Sequence, residues 1–137
     1  MTLTSGNASG ITDSGTLTIG GNLSATTDAN SGVVNLGSLA VDGTVAVTTN
    51  GSGAATLVND AGLNFATSDV GGTLSATATT GDITDTGALT VAGAATLITG
   101  ATGSNIVLDS ANAFASQVTL QAGNGSDTFG NITFKDS

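Results

Sequence analysis

Apolar side chains alternate with polar ones along most of this chain, in short runs, and the runs recur. A branched or aromatic apolar residue stands two before an Asp or Asn at Ile11/Asp13, Val33/Asn35, Leu57/Asn59, Ile83/Asp85, Val107/Asp109 and Phe129/Asn131. Successive copies lie 22, 24, 26, 24 and 22 residues apart. A period in the twenties means stacked units, none of which can bury its apolar face alone.

Aligning the copies on that anchor brings out further columns. Four residues on stand the small Gly15, Gly37, Ala61, Gly87 and Ala111, suited to a turn. Six and eight residues on stand Leu17/Ile19, Leu39/Val41, Leu63/Phe65, Leu89/Val91 and Ala113/Ala115. Even offsets put these on one side of a strand, inward, with Thr18, Ala40, Asn64, Thr90 and Phe114 outward. A second strand follows Gly in four copies and turns Leu23/Ala25, Val45/Val47, Leu74/Ala76 and Ala95/Leu97 inward, while Val118 and Leu120 take these places in the fifth. The anchor begins a third strand.

Three short strands per coil predict an all-β fold. The expected architecture is a three-faced parallel β-helix (a β-solenoid) of five to six coils of 22–26 residues, running as one segment through 1–137. The extra length of the 26-residue copy is assigned to Ala66–Val70 as a corner insertion, because a solenoid keeps its sheet register and varies its corners. No cap is evident: the chain opens at the end of a second strand, at Leu3, and closes partway through a coil begun at Phe129. Open strand edges pair with similar edges, so the expectation is a segment of a longer array or a subunit that stacks end to end.

Composition narrows this picture. The chain is 39% hydrophobic but only 3% aromatic, so Val, Leu, Ile and Ala must fill the interior. Twenty-one Gly and no Pro suit tight turns between strands, and the absence of Glu and Arg leaves helices poorly supplied. Ten Asp against one Lys give a net charge of -9, which repels phosphate backbones and anionic membrane surfaces. No apolar run is long enough to span a bilayer, so neither nucleic acid nor membrane insertion is expected. The residues after Met1 do not form a signal peptide, and with no Cys there is neither disulfide nor thiolate chemistry. Without His, Cys, Tyr, Glu or Arg the usual bases, nucleophiles and oxyanion clamps are missing, and the chain is not expected to be an enzyme.

Three features carry candidate chemistry. The column Asp13, Asn35, Asn59, Asp85, Asp109 and Asn131 is expected to stack as a structural polar ladder at one corner, each side chain bonding its neighbour and the turn backbone. Its alternative role is cation binding by Asp85 and Asp109: adjacent carboxylates about 4.8 Å apart would repel by roughly 3 kcal/mol at an effective dielectric of 20. The outward Thr26, Thr48 and Thr77 form a candidate binding face for ordered water or a ligand, although Thr is also the ordinary solvent-facing strand residue. Third, Ala122-Gly123-Asn124-Gly125-Ser126-Asp127-Thr128-Phe129-Gly130 resembles one copy of the Ca²⁺-binding RTX repeat, with Ala for the first Gly. That resemblance implies Asp127 as a Ca²⁺ ligand, but only one copy is visible, and a plain glycine-rich corner is the competing reading. No cofactor is otherwise expected.

Gly81-Asp82-Ile83-Thr84-Asp85-Thr86-Gly87-Ala88-Leu89-Thr90-Val91-Ala92-Gly93, echoed at Ile11–Gly21 and Val33–Gly43, resembles the degenerate repeats of filamentous-haemagglutinin-type exoproteins and giant bacterial adhesins. The resemblance covers nearly the whole chain through composition and pattern. It implies a right-handed β-helical shaft and an extracellular or bacterial cell-surface location. It also implies partners that are either other copies or the rest of a longer helix, or a host or cell-surface glycan or protein. The function expected is a rigid structural shaft segment. The alternatives are a self-assembling extracellular filament subunit and a Ca²⁺-, glycan- or ice-binding solenoid module.

Overall fold

The computed structural model describes residues 1–28, 30–125 and 128–137. Among them sixteen strands and no helix occur. In chain order these are β1 (Thr2–Ser5), β2 (Ile11–Thr12), β3 (Leu17–Ile19), β4 (Leu23–Thr27), β5 (Val34–Val41), β6 (Thr44–Thr49), β7 (Ala55–Asn59) and β8 (Leu63–Phe65). They continue as β9 (Ser68–Val70), β10 (Leu74–Ala78), β11 (Ile83–Asp85), β12 (Leu89–Val91), β13 (Ala95–Thr99), β14 (Ile106–Phe114), β15 (Val118–Gln121) and β16 (Ile132–Asp136). Every pairing is parallel and joins one coil to the next. The chain is therefore a β-solenoid of about six coils.

Each of the first five coils contains three strand stretches, but hydrogen bonding gathers them into two sheets of nine and seven strands. The merger has a simple cause. β5 and β14 turn a corner without breaking, so β5 pairs with both β2 and β3, and β14 with both β11 and β12.

Inward positions stack in registered columns. One runs Val34, Ala55, Leu74, Ala95, Val118 and a second runs Leu36, Leu57, Ala76, Leu97, Leu120. Large side chains alternate with small ones in the first column, which lets successive rungs interdigitate at core density. Val45, Phe65 and Asp85 form part of a column on the other sheet, with Phe65 fully buried. Corners close by near contact of backbone on backbone. A Cβ on Gly53 would meet the Gly32 carbonyl oxygen at 2.5 Å, and one on Gly93 would meet Gly72 at 2.7 Å, so only Gly fits.

The in-and-out alternation agrees with expectation at most strand positions, whereas the alignment of coils does not. From β1 to β6 the first two stretches of each coil are short and the third is long. From β7 to β13 the first is long and the next two are short. The corner thus moves from one sheet to the other between coils two and three. As a result Leu57 stacks on Leu36, not in the Val33 column, and Phe65 stacks on Val45, not on Val41. Likewise Leu74/Ala76 follow Ala55/Leu57 and belong to a different face from Val45/Val47. The sequence columns joined strands that occupy different faces.

Four further corrections follow. Ala66–Val70 is no corner insertion: it holds β9, with Ser68 and Val70 buried, and this region contains the shortest coil step, 19 residues from Ala55 to Leu74. In the fifth coil the inward residues are Ile106, Leu108, Asn112 and Phe114, so Val107, Ala113 and Ala115 are not the inward set, and Phe114, expected outside, is 9% exposed. In the second coil Val34, not Val33, pairs with Ile11. Phe129 starts no strand and is 65% exposed.

Candidate functional site

The six Asp and Asn residues of the expected ladder do not form one column. Because coils one and two are out of step with those that follow, the structure distributes these residues over different corners. Asn35 and Asp109 are exposed, and Asn131 lies on the exposed last coil. Asp13 Oδ2 accepts a hydrogen bond from the Ser38 backbone N–H at 2.7 Å. The two that are buried, Asn59 and Asp85, sit where strands turn.

Asn59 stands opposite Leu39, just past the irregularity between Leu36 and Leu39 in β5. There the side chain takes over the role of backbone. Its Oδ1 accepts from Val41 N–H at 2.9 Å, and its Nδ2 donates to the Val41 and Gly62 carbonyls at 3.1 and 2.7 Å. An amide carries a donor and an acceptor in one plane, like a peptide group, so it can continue a ladder that the main chain has left. Asn59 is 1% exposed, which makes every one of these bonds obligatory.

Asp85, 8% exposed, does the same one turn later. Its Oδ1 accepts from the N–H groups of Asp109 and Ser110, and its Oδ2 from Asn112 Nδ2 at 2.7 Å. Asn112 in turn accepts from Leu89 N–H at 2.8 Å. Asp85 and Asp109 are therefore linked through the Asp109 backbone, and N–H donors surround the Asp85 carboxylate in place of a shared cation. Asp127 lies outside the described residues. Among the described residues, no three acidic side chains come together as a metal site.

The threonine face also divides. Thr26 and Thr48 are direct neighbours between β4 and β6, and the next rung of their column is Asp69. Thr77 sits on the other sheet between Val58 and Ile98.

Two further polar systems do not follow the spacing of the apolar anchors. The first is a true ladder of Asp82, Asn105 and Asn131: Asp82 Oδ1 accepts from Asn105 N–H at 2.7 Å, and Asn105 Oδ1 from Asn131 N–H at 2.8 Å. Its signal was available, since each of the three immediately precedes an Ile: Ile83, Ile106 and Ile132. The second is a set of buried strand-end threonines. Oγ1 of Thr27, Thr49 and Thr99 donates to the carbonyls of Gly32, Gly53 and Ser104 across the following corner. The same oxygens of Thr49 and Thr99 accept from Gly71 and Gly123 N–H on the next coil. Thr is so common here that no pattern marked these three. Chemically, these groups bind coil to coil: each buried donor or acceptor faces a complementary group across a corner or on an adjoining coil.

A family model described as repeats of unknown function (DUF5649) matches residues 52–121. The matched stretch begins just after β6 and ends with β15, so it covers the coils that share one register. None of the curated proteins matches the chain, and no solved structure does.

Proposed function

We propose a structural role for this chain, which belongs to the family of repeats of unknown function (DUF5649): a rigid β-helical shaft segment of a secreted or cell-surface bacterial adhesin. The observation that carries the reading is the parallel pairing of every coil with the next, with the polar corners tied across it where the backbone register shifts. Bending such a stack means opening backbone ladders and corner bonds together. Reach then scales with coil number, at about 4.8 Å per coil. Six coils give about 29 Å.

The adhesin assignment and the extracellular location rest on the resemblance of Gly81–Gly93 and its echoes to filamentous-haemagglutinin-type repeats. The role is mechanical and assigns no catalytic step. Immunogold labelling of intact source cells with an antibody against the chain tests it. Label standing off the cell surface, or on shed fibres, is the expected result. Label only after permeabilisation would overturn the reading. Small-angle scattering of the purified chain supplies the second check: a stiff particle of the stated length is expected, and fibres that lengthen with concentration would replace the spacer role by self-assembly.

A further inference from the structure

Asparagine precedes glycine twice in this chain, at Asn50-Gly51 and Asn124-Gly125. The second pair adjoins residues outside the described set; the first is described in full. Asn50-Gly51 forms the tip of the corner between β6 and β7, and Asn50, Gly51 and Ser52 are all exposed. Gly53 N–H donates to the Asn50 carbonyl at 3.1 Å and Gly51 has φ +63°. That is a type II′ turn, whose first central position favours glycine. The flanks are pinned: Thr49 Oγ1 donates to the Gly53 carbonyl, and Ser52 N–H donates to Ser31 Oγ at 3.1 Å. Between them the Gly51 N–H has no acceptor among the described residues. The Asn50 amide reaches the coil before, where Nδ2 donates to the Thr27 carbonyl at 2.9 Å. The next coil presses on the turn from the other side, since a Cβ on Gly71 would run into the Gly51 carbonyl oxygen.

We propose that Asn50 is a site of spontaneous covalent modification, deamidation through a cyclic imide, and that its conversion cuts a tie between coils one and two. The attacking group is the Gly51 backbone nitrogen, unbonded and uncrowded because glycine has no Cβ. It bonds to Asn50 Cγ and closes a five-membered succinimide. The Cγ–Nδ2 bond breaks and ammonia leaves, the Gly51 proton passing to it through water. Water then opens the ring at either carbonyl, giving aspartate or isoaspartate. Water is the only co-reactant. Asn59 is buried with both ends of its amide bonded, so it cannot swing onto the nitrogen that follows. Asn35 is exposed, but it sits inside β5 and is followed by the branched Leu36. Either product at Asn50 puts an acidic oxygen where the Nδ2 donor met the Thr27 carbonyl, and adds a charge to a chain already at -9. Isoaspartate also lengthens the backbone by a methylene against Gly71, where the turn has no spare room. The chemistry is independent of the shaft role.

The test is ageing of the folded full chain in mildly alkaline buffer, read by intact mass and electron-transfer fragmentation, since a single Lys leaves tryptic mapping no use. A mass gain of one unit located at Asn50, with both aspartate and isoaspartate fragments, is expected at least fivefold faster than at Asn35. The rate should rise with pH, because the attacking nitrogen must lose its proton. Asn50→Gln, which would have to close a larger ring, should leave the corner unmodified over the same period. Conversion at Asn50 no faster than at Asn35 would overturn the site. Asn50→Asp supplies one product directly: its melting temperature should fall by several degrees, while Asn35→Asp should melt within about a degree of the parent. Equal melts for the parent and Asn50→Asp would overturn the loss of the tie.

Discussion

Asn59 and Asn35 are equivalent in the sequence pattern, each two residues after an apolar anchor, yet replacing each by Leu should have opposite consequences. At Asn59, Leu keeps the volume but strands two buried groups, the N–H and carbonyl of Val41, and the partly buried carbonyl of Gly62. An unsatisfied buried donor or acceptor costs about 1–3 kcal/mol, with carbonyls toward the low end because a second lone pair can find other partners. The sum is about 3–5 kcal/mol, a large part of the 5–15 kcal/mol typical of a whole domain. Asn35 is exposed and its side chain makes no hydrogen bond, so Asn35→Leu should stay within about 0.5 kcal/mol of the parent. Urea denaturation followed by circular dichroism measures both, and the slope m should not change if only stability does. Hydrogen exchange adds a local reading, since the Val41 amide should lose protection before its neighbours in β5. Asn59→Asp should be worse than Leu at neutral pH, because a buried carboxylate would face two carbonyls. The same variant should regain stability as pH falls, since its raised folded-state affinity for a proton makes the folded form bind more protons than the unfolded one. A cost below about 1 kcal/mol for Asn59→Leu, or one equal to that of Asn35→Leu, would refute the plug at the corner.

Other expectations are simpler. Leu63→Asp or Leu89→Asp should abolish folding by placing an unpaired charge in the core, while Thr48→Asp and Thr90→Asp, each beside Asp69, should cost no more than about 1 kcal/mol; equal damage at both sets, read by circular dichroism, would contradict the register. Gly53→Ala should cost about 1–3 kcal/mol because its Cβ meets the Gly32 carbonyl, whereas Gly37→Ala, with nothing within 4 Å, should be neutral or slightly stabilising; thermal melts decide. Asn105→Ala should lower the melting temperature by roughly 5 °C, since it keeps the backbone N–H bond to Asp82 but removes the side-chain amide contacts to Asp82 and the acceptor of the Asn131 N–H; an unchanged melt would remove the ladder from the account of stability.

Which parts of the fold could be read in advance follows from what a period of two carries. Alternation states whether a side chain points in or out, and it did so correctly for Leu39/Val41, Leu63/Phe65, Leu74/Ala76 and Leu89/Val91. It does not state which face a strand belongs to. Strands of one solenoid look alike on every face, so β7 could be aligned one third of a coil away from its true partner with no apolar residue misplaced. Only the lengths of strands, long third in coils one and two and long first afterwards, distinguish the two alignments. Parity itself fails where apolar residues adjoin. Val33-Val34 and Ile106-Val107-Leu108 allow either choice by hydrophobicity, and burial selects Val34, Ile106 and Leu108. In the fifth coil the deciding neighbour is a polar one: Asn112 takes a core position, because Leu89 N–H needs an acceptor there.

The same reasoning explains why the polar sites were the hardest to place. A buried Asn or Asp in this fold marks a failure of the main chain to pair with the coil beside it, so its position depends on where corners fall. Corners moved between coils two and three, and with them the positions that need a side chain to stand in for a peptide. Asn59 and Asp85 fill such gaps; Asn35 shares their spacing but has an intact ladder next to it, and Asp109 lies in the gap that Asp85 fills, its own N–H held by that carboxylate. A column of Asx residues in a solenoid sequence therefore predicts a ladder only where the strands that follow it start in register on successive coils. Asp82, Asn105 and Asn131 meet that condition, each one residue before the paired Ile83, Ile106 and Ile132, and there the ladder is real.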